Sequence, residues 1–173
     1  TPALISGAIV ERMKFGAYVL FICLWSLVVY APLCHWVWGG GFLASHGALD
    51  FAGGTVVHMS AGFAALAGAV FLGKRNTLTE DSINVPYVIL GTGLLWFGWF
   101  GFNAGSALGA NADAVIAFAN TNIASATAMI TWVFYERMLG RKMSALGACI
   151  GAVVGLVAIT PAAGFVNIGQ SMF

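Results

Sequence analysis

The chain has 173 residues, of which 60% are apolar and 8% charged, with a formal net charge of +1 and a mean hydropathy of +0.92. A soluble domain carries about 25% charged residues, so this composition excludes a solvated surface and leaves lipid as the solvent. The few Lys and Arg are scattered among loops, which excludes a basic face for nucleic acid.

Apolar blocks follow one another along the chain, each long enough to supply the roughly 20 residues that a spanning helix needs. A truncated block covers residues 1–10 and is closed by Glu11, Arg12 and Lys14. The second covers 16–38 and is stopped by Gly39, Gly40 and Gly41. A loop of small residues leads to Asp50, and the third block covers 50–72. Residues 74–84 form the only strongly hydrophilic stretch. The fourth block covers 85–108, with Pro86 where a first helical turn tolerates it. The fifth covers 113–135 and the sixth 143–166. Blocks of this length without two-residue alternation predict an all-α, polytopic transmembrane helix bundle of five full helices and one truncated helix. An opening at Thr1 inside an apolar run and a close at Phe173 without a polar tail are expected of an internal piece of a longer protein.

All seven Lys and Arg fall in alternate loops, at 11–15, 74–84 and 136–142. Loops rich in these residues stay cytoplasmic, which places the loops after Trp38 and after Ser106 outside. In the sixth block Gly147, Gly151 and Gly155 recur every four residues, a ridge that predicts close helix packing. Cys23, Cys34 and Cys149 are odd in number and sit in apolar blocks, as small buried hydrophobes do. Thr1, Pro2 and Ala3 recur as Thr160, Pro161 and Ala162, a short echo of the kind that inverted-repeat transporters leave.

His58 is the residue that stands out, because it lies inside a spanning block with no carboxylate within one turn. Asp50 is eight residues earlier, which on a regular helix puts His58 about 12 Å deeper and the two side chains about 80° apart. Asp50 therefore reads as an N-cap, its carboxylate bound to amides near Gly53 and Gly54. On the His58 face a regular helix would place the small residues Gly54, Thr55, Ala61, Gly62 and Ala65. Ionisable groups inside a membrane mark pathways by default, and an imidazole can hydrogen-bond a small polar molecule or relay a proton. A core histidine bonded to a carbonyl of another helix is the alternative.

The fourth block presents Trp99, Phe102 and Ser106 at spacings of three and four, along one stripe with Ser106 toward the outer end. With Trp36 and Trp38 at the outer end of the second block, aromatic faces and a hydroxyl are available to hold a small cation. An interfacial aromatic belt accounts for the same tryptophans. Asn103, Asn120, Asn122 and Thr127 read as bonds between helices. No phosphate loop, metal cluster or nucleophile beside a base is present in the sequence, so neither an enzyme nor an ATP-driven pump is indicated and no cofactor or metal is expected.

The segment DFAGGTVVHMSAGFAALAGAVFLGKR at 50–75 resembles the signature of ammonium transporters of the Amt/Mep/Rh family. TPALISGAIVERMKF, HWVWGGGFLASHGALDFAGG, GWFGFNAGS and TPAAG resemble their counterparts in the same family, nearer to the Amt/Mep branch than to Rh glycoproteins. The resemblance covers essentially the whole chain and aligns it with the family's third to eighth spanning helices. It implies an inverted-repeat fold that recruits NH4+ at an outer site, deprotonates it and conducts NH3 through an apolar lumen. By this resemblance Trp38 and Ser106 match the outer site, Phe102 one ring of the gate beneath it, and His58 the first histidine of the pore pair. Trp99 matches a pore-wall tryptophan, and Asp50 the vestibule acid that supports the outer site. The second gate phenylalanine and second pore histidine would lie outside these residues. The resemblance also implies a homotrimer in the cell membrane, methylammonium as a substrate analogue, and a PII-type regulatory protein at the cytoplasmic face. A membrane sensor that binds ammonium with little flux, and a pore for a neutral gas, are the alternative functions.

Overall fold

The structure is a computed structural model that describes residues 1–74 and 84–173. Among these residues the chain forms helices and turns and no strand, as lipid requires of a backbone that must satisfy itself. It divides into two compact units, Thr1–Asp81 and Ser82–Phe173. Arg75 and the hydrophilic stretch up to residue 83 lie outside the described residues.

In the first unit a 3₁₀ turn, Pro2–Ile5, runs into α1 (Ser6–Ile9). The second apolar block then forms one continuous helical run: α2 (Phe15–Trp25), a π turn at Ser26–Tyr30, and α3 (Ala31–Trp38). Pro32 sits just past the π turn. A proline inside a helix removes one amide and crowds the carbonyl four residues back, and a wider turn upstream is one way a helix absorbs that defect. A short α4 (Phe42–Ser45) follows. The third block then opens with a second π turn, Gly54–Met59, and continues as α5 (Ser60–Leu72). Ile5, Trp25 and Ala61 form the buried centre of this unit, with Phe21, Tyr30, Ala64 and Ala65 packed around it. Arg12 donates to the carbonyls of Ala8 and Gly73, so one guanidinium closes the ends of both α1 and α5.

The second unit contains α6 (Val85–Gly105), α7 (Ala112–Met138) and α8 (Ala145–Ile159), followed by turns and a 3₁₀ turn at Gln170–Met172. Each of the three helices begins on a side-chain cap. Asn84 accepts from the amide of Tyr87, Asn111 from Ala114 and Ser144 from Gly147. Helix α8 lies so close to α7 that a methyl group at Gly151 would meet Trp132 Cβ at 2.7 Å, and one at Gly155 would meet the Ala124 carbonyl oxygen at 2.5 Å. Polar side chains lock the other contacts. Asn103 donates to Thr121 Oγ1 at 2.9 Å, Ser125 to the Ala152 carbonyl, and Asn120 to the carbonyls of Ala163 and Val166.

Among the described residues four segments are long and apolar enough to cross a membrane: Phe15–Ser45, Gly54–Leu72, Val85–Gly105 and Ala112–Met138. Large apolar side chains on their outer faces are exposed, Val70, Phe71 and Phe97 among them, as suits a lipid-facing surface.

Several sequence boundaries need correction. The third block becomes helical at Gly54 rather than at 50, because Gly53 takes a left-handed conformation just before it. Helix α6 ends at Gly105 rather than 108, and Leu108 closes the following turn at φ 55°. Helix α7 runs on to Met138, so Arg137 is in its last turn rather than in the loop, where a cation suits the helix C-terminus. The sixth block is helical only to Ile159, because Pro161 has no amide to donate to the Val157 carbonyl. Its 15 residues span about 22 Å, short of the roughly 30 Å hydrocarbon core.

The contact at Gly155 generates a direct test. Replacing Gly155 with Val should destabilise the protein by about 1–3 kcal/mol through overpacking against the α7 backbone. Gly91→Val on α6, where nothing lies within 4 Å of the added carbon, should not. Thermal unfolding of the two variants in the same detergent checks the difference.

Candidate functional site

The predicted site residues fall into two groups, one in each unit. In the first unit Trp38 is the last residue of α3, 45% exposed, and its indole N–H donates to the backbone carbonyl of Asp50 at 2.8 Å. The ring is thus held by its polar edge while much of its surface stays accessible. Asp50 itself is buried. Its Oδ1 accepts from the amides of Gly53 and Gly54 at 2.8 and 2.7 Å, and its Oδ2 from those of Thr55 and Val56 at 2.9 and 3.0 Å. All four orphan amides of a helix N-terminus are met by one carboxylate.

Asp50 does this from outside the helix. The N-cap position is Gly53, at φ 104° and ψ 24°, and residues 50–53 are not helical. The relation of Asp50 to His58 expected from a regular helix, with its 80° offset, therefore does not apply. His58 belongs to the π turn Gly54–Met59 and is half-buried. Its amide donates to the Gly53 carbonyl, five residues back, at 3.1 Å, and the Val57 amide shares that oxygen at 2.7 Å. The face shared with Gly54 and Thr55, drawn from a 3.6-residue period, changes accordingly. Single π turns inside helices recur at functional positions.

In the second unit Trp99, Phe102 and Ser106 all lie along α6, but they do not share one environment. Trp99 is buried, and its indole N–H donates to Thr160 Oγ1 at 2.9 Å. Thr160 passes its own hydrogen to the Leu156 carbonyl at 2.7 Å, so the two bonds tie α6 to the end of α8. Phe102 is 40% exposed, with its ring 5.5 Å from that of Trp99 and tilted by 51°. Ser106, at the C-cap of α6, donates its hydroxyl hydrogen to the Phe102 carbonyl at 2.8 Å. A hydroxyl whose hydrogen is so engaged still offers oxygen lone pairs to an N–H donor. A groove of about 660 Å³ between α7, α8 and the final turn, lined by Thr127, Trp132, Tyr135 and Met172 among others, contains none of these residues.

Two contributors escaped the sequence reading. Thr160 entered it only as part of a repeated tripeptide, and Gly53 only as a neighbour of the cap. The Gly-Gly pair directly after Asp50, Phe51 and Ala52 was the available signal for a backbone turn that a side chain would obstruct.

The profile of the Ammonium Transporter Family matches residues 1–173. An ammonium transporter of Aquifex aeolicus is 60% identical over 173 residues, which are all of this chain and 41% of that protein. The crystal structure of Candida albicans Mep2 superposes with a TM-score of 0.91 at 44% identity, covering 99% of this chain and 40% of that one. A structure described as a sensor Amt protein matches with a TM-score of 0.91 at 33% identity, over 99% of this chain and 46% of its own. The chain thus spans about two fifths of the length of its relatives.

Removing the carboxylate at position 50 leaves four amides without their acceptor. Asp50→Ala should therefore cost more than the about 1.5–3 kcal/mol of a single hydrogen bond to a charged group, and Asp50→Asn, which keeps one carbonyl oxygen, should cost less. Thermal unfolding, with hydrogen exchange at the amides of residues 53–56, checks both the loss and its location.

Proposed function

We propose, from the premise that this chain belongs to the ammonium transporter family, that its residues take part in moving ammonium nitrogen across a membrane. The observation that carries this reading is the exposed Trp38 ring, held by Asp50, at the entrance of the helix that carries His58. A bare cation pays a large penalty in an apolar passage, so a site that gathers NH4+ at the mouth and a passage that admits NH3 are complementary parts. The face of Trp38 would attract the cation through its ring quadrupole, and the Ser106 oxygen would accept one of its N–H bonds. Phe102 would stand as a gate ring, with Trp99 as wall behind it. His58, whose imidazole can relay a proton, would accept the proton that NH4+ gives up, pass it on, and hydrogen-bond the NH3 that remains.

Charge distribution supports an orientation. The stretches at 11–15, 74–84 and 136–142, which carry the Lys and Arg, would face the cytoplasm of a cell membrane. The turns after Trp38 and Ser106 would then face outward, which is where a recruitment site belongs. Assembly as a homotrimer and control by a PII-type protein at the cytoplasmic face follow from the same family reading.

A second reading is favoured by the likeness to a sensor Amt protein: a membrane receptor that binds ammonium and signals with little flux. A long soluble domain in the full-length protein, combined with slow uptake, would select it.

The transport reading is tested by His58→Ala in the full-length protein. Selective methylammonium uptake should fall to background or lose its discrimination against potassium. Unchanged uptake with unchanged selectivity would remove His58 from the pathway. Trp38→Ala and Ser106→Ala should instead raise the half-saturation concentration, because they act on the cation before it enters. A pore for a neutral gas would be indifferent to both substitutions.

A further inference from the structure

The node that joins Trp38 to His58 is a residue with no side chain. Gly53 stands at φ 104°, a conformation that other residues enter only with strain. Its carbonyl oxygen accepts the four-residue bond of Val57 at 2.7 Å and the five-residue bond of His58 at 3.1 Å, so the π turn Gly54–Met59 begins on a shared acceptor. At the far end of that turn the Ser60 hydroxyl donates to the Val56 carbonyl at 2.6 Å, so the widened turn is closed at both ends. A carbon added at Gly53 would lie 2.7 Å from Val57 Cγ2 and 3.2 Å from Trp38 Cη2. The same point therefore touches the exposed indole and sets the hydrogen bond that holds the His58 backbone.

We infer that Gly53 is a positioning residue for both Trp38 and His58. Its left-handed turn fixes the direction of the imidazole through the five-residue hydrogen bond, and its missing side chain lets the indole settle against the helix entrance. In an α register the His58 amide would bond to the Gly54 carbonyl instead, and the imidazole would leave the helix in another direction. The inference deepens the transport reading and rests on it for its uptake measurement, but not for its structural one.

The test uses Gly53→Ala in the full-length protein reconstituted into lipid vesicles, with methylammonium uptake and the ring ¹⁵N signal of His58 as readouts. The signal is identified by its loss in His58→Ala. Uptake at saturation should fall by roughly tenfold or more, the scale on which small misplacements of a site act, and the His58 signal should shift. Gly16→Ala, where nothing lies within 4 Å of the added carbon, should leave both as they are. If both readouts are unchanged in Gly53→Ala, or if Gly16→Ala alters them equally, the inference falls. Should Gly53→Ala fail to assemble, Gly53→Ala combined with Val57→Ala removes the nearer obstacle and is judged by the same two readouts. If the wild-type protein shows no uptake, the transport reading fails. A shifted His58 signal in Gly53→Ala would then still uphold the positioning role, and an unshifted one would end it.

Discussion

A helix that begins in the protein interior leaves its first amides without water to bond, and a buried donor left unmet is costly. Asp50 answers for four of them with two oxygens. The position of the carboxylate, three residues ahead of the N-cap, requires the chain to turn sharply between them, and the left-handed Gly53 provides that turn. The Asp50 backbone carbonyl is meanwhile the acceptor for Trp38. The aromatic ring, the buried carboxylate, the start of the π turn and the backbone of His58 are thus consequences of one local solution to the amide problem.

The second unit solves the corresponding problem of cohesion. Lipid gives apolar helices no reason to prefer one another, so close contact and hydrogen bonds must select the packing. Gly151 and Gly155 let the α8 backbone approach α7, while Asn103, Asn120 and Ser125 bridge helices or reach the carbonyls that follow Ile159. Pro161 ends α8, and the segment it frees is where Asn120 finds its acceptors. Trp99 uses its one donor on Thr160, inside this network. Its contribution to a passage would be that of a rigid wall against which Phe102 rests.

Much of this is legible in the sequence. The helical class, the four long apolar runs, the small-residue ridge of α8 and the carboxylate cap all followed from period, length and residue type. The residues that the family resemblance singled out fall on α3, the loop after it, the π turn and α6 with its C-cap. The boundaries were less legible. Glu136 and Arg137 looked like loop because they are charged, yet α7 runs through them, and Glu136 accepts from the amide and hydroxyl of Ser144 that starts α8. A bond from one helix end to the next cap leaves no mark on a hydropathy pattern.

The sequence by itself determined that the backbone must be helical and buried in lipid, because so few charges and such long apolar runs admit no other solvent. It also singled out His58, since an ionisable group in such a run is costly enough to demand a reason. Only the tertiary structure decided how His58 is presented. Hydrophobic period reports which residues avoid water, and it assumes a regular turn. The change from α to π register at Gly54–Met59 turns on where the Gly53 carbonyl points. That in turn depends on a carboxylate and an indole brought together by the loop between α3 and α5. The division of α6, with Trp99 buried and Phe102 and Ser106 more open, has the same origin. The partner of the Trp99 indole is Thr160, 61 residues further along the chain, and no pattern local to α6 contains that residue.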